Sequence, residues 1–176
     1  PWMGDFSRMM FTPVSGDLPN ISTFHTQSSY RPNESIFRPT HISIHQLRYD
    51  IRSTMIPSMY GGILTVQYQD EQAGLMLTLP GRFAIEQTDA HTLTGHVINF
   101  SGCEDSDFHF YFTLLFDQPI VGDALKESGE DGQIVVRFGN IKEQTMRLGT
   151  SFISSEQATL NLTREKDLTA ADYLAQ

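Results

Sequence analysis

The stretch THISIHQL, residues 40–47, sets the class of this chain. Its apolar residues alternate, so that Ile42 and Ile44 share one face and His41, Ser43 and His45 the other. That is a period of two, the mark of a half-buried strand, and not the 3.6 of a helix. The same period continues downstream in YDIRSTMI (49–56), GGILTVQYQ (61–69), AGLMLTLPG (73–81), RFAIEQ (82–87) and TLTGHVINFSG (92–102). It returns in FHFYFTLLF (108–116), GQIVVRFG (132–139) and EQTMRLGTSFI (143–153). Gly, Pro, Asp and Asn punctuate these segments at short intervals, which is the pattern of an all-β sandwich built from antiparallel sheets. Within it, FHFYFTLLF is the segment expected to be covered on both faces.

At 176 residues the chain suits one domain with a sizeable core, 1–176, and 39% hydrophobic residues suit a globular one. A net charge of -9 argues against nucleic acid or an anionic membrane as partner, because both reward a basic face. No apolar run approaches the roughly 20 residues of a membrane-spanning helix. Cys103 is the sole cysteine, which excludes an internal disulfide and a cysteine-built zinc site; a buried apolar filler is its expected role.

Three polar stretches read as turns. QDEQAG (69–74) is expected to connect a hairpin, and KESGEDGQ (126–133) and SGCEDSDF (101–108) to be solvated loop tips. Their carboxylates lack the spacing that supplies a calcium ion with six to eight oxygens. The chain then changes character. In FISSEQATLNLTRE (152–165), Ser154 caps a helix from about Ser155, with Gln157 returning a bond to the cap and Ile153 stapled to Ala158. A second short helix is expected in LTAADYLAQ (168–176), capped by Thr169 with Asp172 in its first turn. Residues 154–176 thus form a helical lead-out.

Three segments, PWMGDF (1–6), SSYRPNE (28–34) and RLGTSFISSEQATLNLTRE (147–165), occur in this order. Together they resemble glycoside hydrolase family 92, whose members carry similar openings, a similar SSYRP with an acidic residue after it, and a similar terminal segment. The terminal segment is the most specific, since capping chemistry alone would not dictate its SF and NL pairs. The family comprises calcium-dependent, inverting exo-α-mannosidases with an N-terminal, galactose mutarotase-like β-supersandwich followed by an (α/α)6 barrel. The resemblance implies that this chain corresponds to most of the first domain, and that the 154–176 lead-out runs towards a helical catalytic domain.

The resemblance also implies roles for individual residues. Trp2 matches a residue that reaches the sugar pocket between the two domains, where an indole offers a flat face to sugar C–H groups and an N–H to a hydroxyl. The competing reading is a tryptophan packing on its own sandwich edge. Asp5 bonds a sugar hydroxyl or caps its own turn. His25 is a candidate contact to a hydroxyl, against ordinary loop packing, and Tyr30 with Arg31 belongs to the domain seam or fixes the turn before Pro32. In YDIRSTMIPSMYGG (49–62), Thr54 and Tyr60 stand where the family pattern has a Glu and an Arg, a departure that marks a divergent member. Inverting hydrolysis needs an acid and a base carboxyl roughly 6.5–9.5 Å apart. The sequence offers no such pair, and the resemblance assigns both, with the Ca2+ ligands, to the missing barrel. The fragment is therefore expected to be catalytically silent and to hold no metal, its partners being an α-mannoside glycan and the absent domain. The family substrate favours a secreted or periplasmic setting.

The remaining histidines read more plainly: His41 and His45 are too far apart on an extended strand to share a metal without a third ligand, His96 and His109 are sheet residues, and His91 is a turn residue. Asn20, Asn33, Asn99 and Asn161 each begin an N-x-S/T sequon, read here as coincidence because Asn161 falls in the helix and Asn99 in a strand. Two other classes stand beside the mannosidase reading: a stand-alone carbohydrate-binding sandwich, and a purely structural domain with an apolar partner surface.

Overall fold

The computed structural model describes residues 8–69, 72–99 and 105–175. Trp2, Asp5 and Cys103 lie outside the described residues. Among the described residues the chain forms ten strands: β1 (Met10–Val14), β2 (Ile36–Arg38), β3 (His41–Gln46), β4 (Ile51–Pro57), β5 (Gly61–Gln67), β6 (Ala73–Gln87), β7 (Thr92–Ile98), β8 (Phe110–Phe116), β9 (Lys126–Gly139) and β10 (Glu143–Ser151). Three α-helices accompany them, α1 (Thr23–Thr26), α2 (Ser155–Glu165) and α3 (Ala170–Ala175), with a 3-10 turn at Pro32–Glu34. No helix among the described residues is long and apolar enough to cross a membrane.

The strands hydrogen-bond in the order β1-β6-β7-β8-β10-β5-β4-β3-β2, with β9 on the other edge of β6, and every pairing is antiparallel. The sheet curls on itself into a sandwich. Strand β6 makes the corner: Gly74–Thr78 pair with β1, Arg82–Gln87 pair with β7, and β9 follows both halves. Between the halves, at Pro80 and Gly81, the β9 register shifts. Gly81 has φ +76, and a Cβ there would stand 2.4 Å from the Ile98 carbonyl oxygen, so the bend needs glycine. Two segments that read separately in sequence, AGLMLTLPG and RFAIEQ, are thus one bent strand.

Inside the curl, Val14, Ile51, Leu75, Leu77, Leu93, Phe112, Leu114 and Phe116 are almost fully buried and form one continuous core. At roughly 1.5–3 kcal/mol for each large side chain removed from water, this core is the main stabilising element. FHFYFTLLF is covered on both faces as expected: Phe112 and Leu114 face the core, and Thr113, 0% exposed on the other side, is roofed by α2 and bonded to Thr159 Oγ1 at 2.9 Å. Helix α2 lies directly on β10 because Gly149 has no side chain. A Cβ there would meet the Ala158 carbonyl oxygen at 2.5 Å and Leu162 Cβ at 2.6 Å.

Several expectations need correction. KESGEDGQ is no loop tip: Lys126–Gly132 pair with Leu79–Glu86, because the long second half of β6 offers an unpaired edge that a polar, glycine-bearing strand can fill. QDEQAG closes no hairpin, since β5 pairs β4 and β10 while β6 pairs β1, β7 and β9. Ser154 caps α2 by accepting from Gln157 N at 3.2 Å, but the Gln157 side chain donates to Asn161 Oδ1 instead of returning to the cap. Ile153 is 78% exposed and staples nothing. The second helix keeps its cap: Thr169 Oγ1 accepts from Asp172 N at 3.2 Å, and Asp172 Oδ2 accepts from Thr169 N at 2.7 Å.

Candidate functional site

The opening motif joins the described fold at Arg8. Its backbone is clasped by the Asn99 side chain on both sides, Arg8 N donating to Oδ1 at 2.9 Å and Nδ2 donating to Arg8 O at 2.9 Å. Asn99 Nδ2 also reaches Pro80 O at 3.2 Å, which ties this anchor to the corner of β6. The Asn99 sequon therefore carries a side chain engaged in the fold. So does Asn161, only 6% exposed, whose Nδ2 donates to Thr150 O at 2.9 Å. Neither amide is free for a glycan.

His25 sits on α1, where its Nδ1 lies 2.6 Å from Ser22 Oγ and the exposed Phe24 ring meets it edge-on at 5.3 Å. The neighbouring Thr26 is fully buried, with Oγ1 against Met76 Sδ, so α1 is pinned to β6 while its histidine faces outward. The following segment docks on the β3–β4 turn: Leu47 N donates to Ser29 O at 3.0 Å and Arg48 N to Ser28 Oγ at 2.9 Å. This brings Tyr30 and Arg31 to the edge formed by β2 and β3. The Tyr30 ring packs on Phe37 at 5.7 Å, and Arg31 pairs with Glu34 at 3.1 Å.

Glu34 then meets His45. The imidazole Nδ1 lies 3.3 Å from Glu34 Oε2 and Nε2 lies 2.6 Å from Asp50 Oδ1. A neutral imidazole carries one N–H, so both contacts are donated only by a protonated ring. The bond from His45, then that from Arg31, holds the Glu34 carboxyl below the ordinary carboxylate range. Arg31–Glu34–His45–Asp50 is thus a bracket that fixes the Tyr30–Arg31 turn to β3 and to the left-handed turn residue Asp50, φ 47.

Thr54 is central on β4, bonded to Ser43 Oγ at 3.0 Å. Ser43, His45 and Thr54 share a face, which Arg31 reaches through Glu34, whereas Phe37, the ring Tyr30 packs on, pairs with Ile42 and lies on the other face of the β2–β3–β4 edge. Tyr60 does not join them. It lies in the turn beyond the far end of β4, where its carbonyl accepts from Thr150 N and Thr150 Oγ1, each at 2.8 Å, and its ring lies 5.8 Å from the Arg164 guanidinium. Close by, the buried Glu165 accepts from Ser58 Oγ at 2.6 Å. Tyr60 therefore holds α2 against the sheet.

Sequence reasoning missed a second constellation, because it took 126–133 for a loop. On the outer face beside α2, a cleft of about 330 Å³ is lined by β6, β7, β9 and Ser155. Its groups include Glu86, paired with Lys126 at 2.9 Å, and His96. Burial, followed by the neighbouring His109 and Arg82, pushes the His96 imidazole below its usual pKa, with Asp107 opposing. His96, His109 and Tyr111 form a ring cluster in which His109 and Tyr111 are stacked at 5.3 Å with an interplanar angle of 11°. Among the described residues no group of three His, Cys, Asp or Glu side chains is placed to hold a metal ion.

These features define an all-β sandwich whose outer face carries a docked C-terminal helix. Solved structures that share this fold include family GH92 α-mannosidases. The inverting mannosidase BT2199 of Bacteroides thetaiotaomicron VPI-5482 superposes with a TM-score of 0.80 at 18% identity, covering 95% of this chain and 25% of that one. The α-mannosidase BT3965 of Bacteroides thetaiotaomicron gives 0.79 at 16% identity over 96% of this chain and 27% of its own, and the family GH92 glycosyl hydrolase ccman5 gives 0.79 at 16% over 95% and 26%. This chain spans about a quarter of the length of these structures. No protein-family model and no curated protein sequence matches it.

Proposed function

We propose that this chain is the N-terminal β-sandwich domain of an inverting exo-α-mannosidase, contributing one wall of the sugar site and the surface that meets a helical catalytic domain. The supporting observation is the agreement of fold with GH92 mannosidases over 95% of the chain at TM-scores near 0.80. The motif resemblance agrees with it independently: the most specific segment, residues 147–165, builds the β10–α2 unit that Gly149 permits.

In this reading Trp2 and Asp5 face the sugar, carried on the segment that Asn99 anchors, with His25 as a further hydroxyl contact. Tyr30, Arg31 and Thr54 form the seam along the β2–β4 edge, and Tyr60 supports α2, the element that leads towards the next domain. The acid and base carboxyls and the calcium ligands belong to that second domain. The sandwich supplies binding and orientation, and those raise the rate of a reaction whose charge is developed elsewhere.

The test is mannose release from an α-mannobiose, measured for the chain alone and for the chain extended through the polypeptide encoded after it. The expected result is release only by the extended protein, abolished by a calcium chelator and restored by Ca2+. Release by the 176-residue chain alone, above buffer, would overturn the division of labour. A calcium-insensitive extended protein would overturn the family reading.

A further inference from the structure

We propose that the cleft beside α2 is a binding site for a neutral sugar residue. Its floor is Ala84 and Thr94, small side chains that leave an apolar patch between two polar rims. Across it, Lys126 and Glu86 present an ammonium and a carboxylate 2.9 Å apart. Such a pair suits vicinal hydroxyls, each of which donates to the carboxylate while accepting from the ammonium. Ser128, which pairs with Ala84 on the same face, extends that rim, and Ser155 and His96 line the cleft too. Burial disfavours the charged form of His96, and a neutral imidazole offers one donor and one acceptor.

Other ligand classes fit the same groups poorly. An anion would meet the Glu86 carboxylate and a single ammonium that is already paired with it. A divalent cation lacks a third ligand among the described residues. An apolar ligand would strand the charged rim without water. A polyhydroxylated neutral ring satisfies both the apolar floor and the rim. The stacked His109–Tyr111 ledge continues from His96, and the next ring of an oligosaccharide would lie against it. The site does not depend on the mannosidase reading, since it needs no second domain and no chemistry.

The experiment is an amide NMR titration of the chain with methyl α-D-mannopyranoside, methyl α-D-glucopyranoside, α-1,2-mannobiose and D-glucuronate. The expected result is saturable shifts from the neutral sugars confined to residues 84–86, 94–96 and 126–128, with glucuronate at least tenfold weaker. Glu86→Gln and Lys126→Met, both at exposed positions, should weaken all neutral sugars about tenfold, and Tyr111→Ala should weaken the disaccharide alone. No shift at about 50 mM sugar, shifts centred elsewhere, or glucuronate binding as well as the neutral sugars would each overturn the proposal. Mannose release by the extended protein is a separate readout, so failure of the cleft and failure of the hydrolase reading are told apart.

Discussion

Gly149 is the residue on which the position of α2 turns. An alanine there drives its Cβ into the Ala158 carbonyl and the Leu162 backbone nitrogen at 2.7 Å, atoms that cannot move without lifting the helix. Gly149→Ala should cost about 1–3 kcal/mol, the range for overpacked interiors, measured as a lower urea midpoint with an unchanged slope. Gln144 is a second such position. It is 2% exposed, and its amide both accepts from Gln118 N at 2.9 Å and donates to Gln118 O at 3.1 Å, closing the loop after β8. Gln144→Ala leaves both backbone groups without that partner and should cost about 1–3 kcal/mol in the same assay. In sequence Gln144 is merely one polar residue in EQTMRLG; its inward direction is legible from the period, but its partner 26 residues away is not.

At the scale of elements, the bracket around His45 links three of them: the turn at Pro32–Glu34, strand β3 and the turn at Asp50. His45→Phe removes both ring contacts, and the amides of residues 28–35 should then exchange faster while those of β8 and β10 stay protected, as hydrogen exchange would show. Glu34 is solvent-facing, so its contribution is small, but its sign is fixed. Its pKa is lowered in the fold, so stabilisation is present above the ordinary carboxylate value of 4.5 and is lost as pH falls through the lowered value. His96 acts in the same direction for the opposite reason. Burial disfavours its charged form, so the unfolded chain binds more protons and stability declines as pH drops below about 6.5. His96→Gln should flatten the stability profile just below about pH 6.5, and an unchanged slope there would show that the buried ring is not the cause. Element types were largely legible: the strands from their period, and the two C-terminal helices from their caps. The loop reading of 126–133 failed because charge and glycine normally mark turns, whereas here they mark an edge strand.

For the whole molecule, the proposed role is half of a pocket. Of the proposed seam residues, Arg31 and Thr54 share one face of the β2–β4 edge and Tyr30 packs on the other, while Tyr60 is placed at the far end of β4 against Arg164. Sequence proximity of Thr54 and Tyr60 concealed this, because six residues along a strand and into its turn separate side chains by most of the strand's length. Asn99→Ala should loosen the attachment of the opening segment without unfolding the sandwich. In the extended protein this should raise KM for an α-mannobiose with little change in melting temperature; an unaltered KM would remove the anchor from the sugar site.

Period-two alternation, punctuating turns and helix caps are local, set by bonds and side chains a few residues apart, and so the all-β class, most strands and both terminal helices were determined by the sequence itself. The curl at Pro80–Gly81, the addition of β9 to the free edge of β6, the bracket at His45 and the cleft beside α2 depend on contacts between residues distant in the chain. Only the tertiary structure decides those, because strand order and strand edges are chosen by which faces bury most apolar surface together, a quantity no single segment contains.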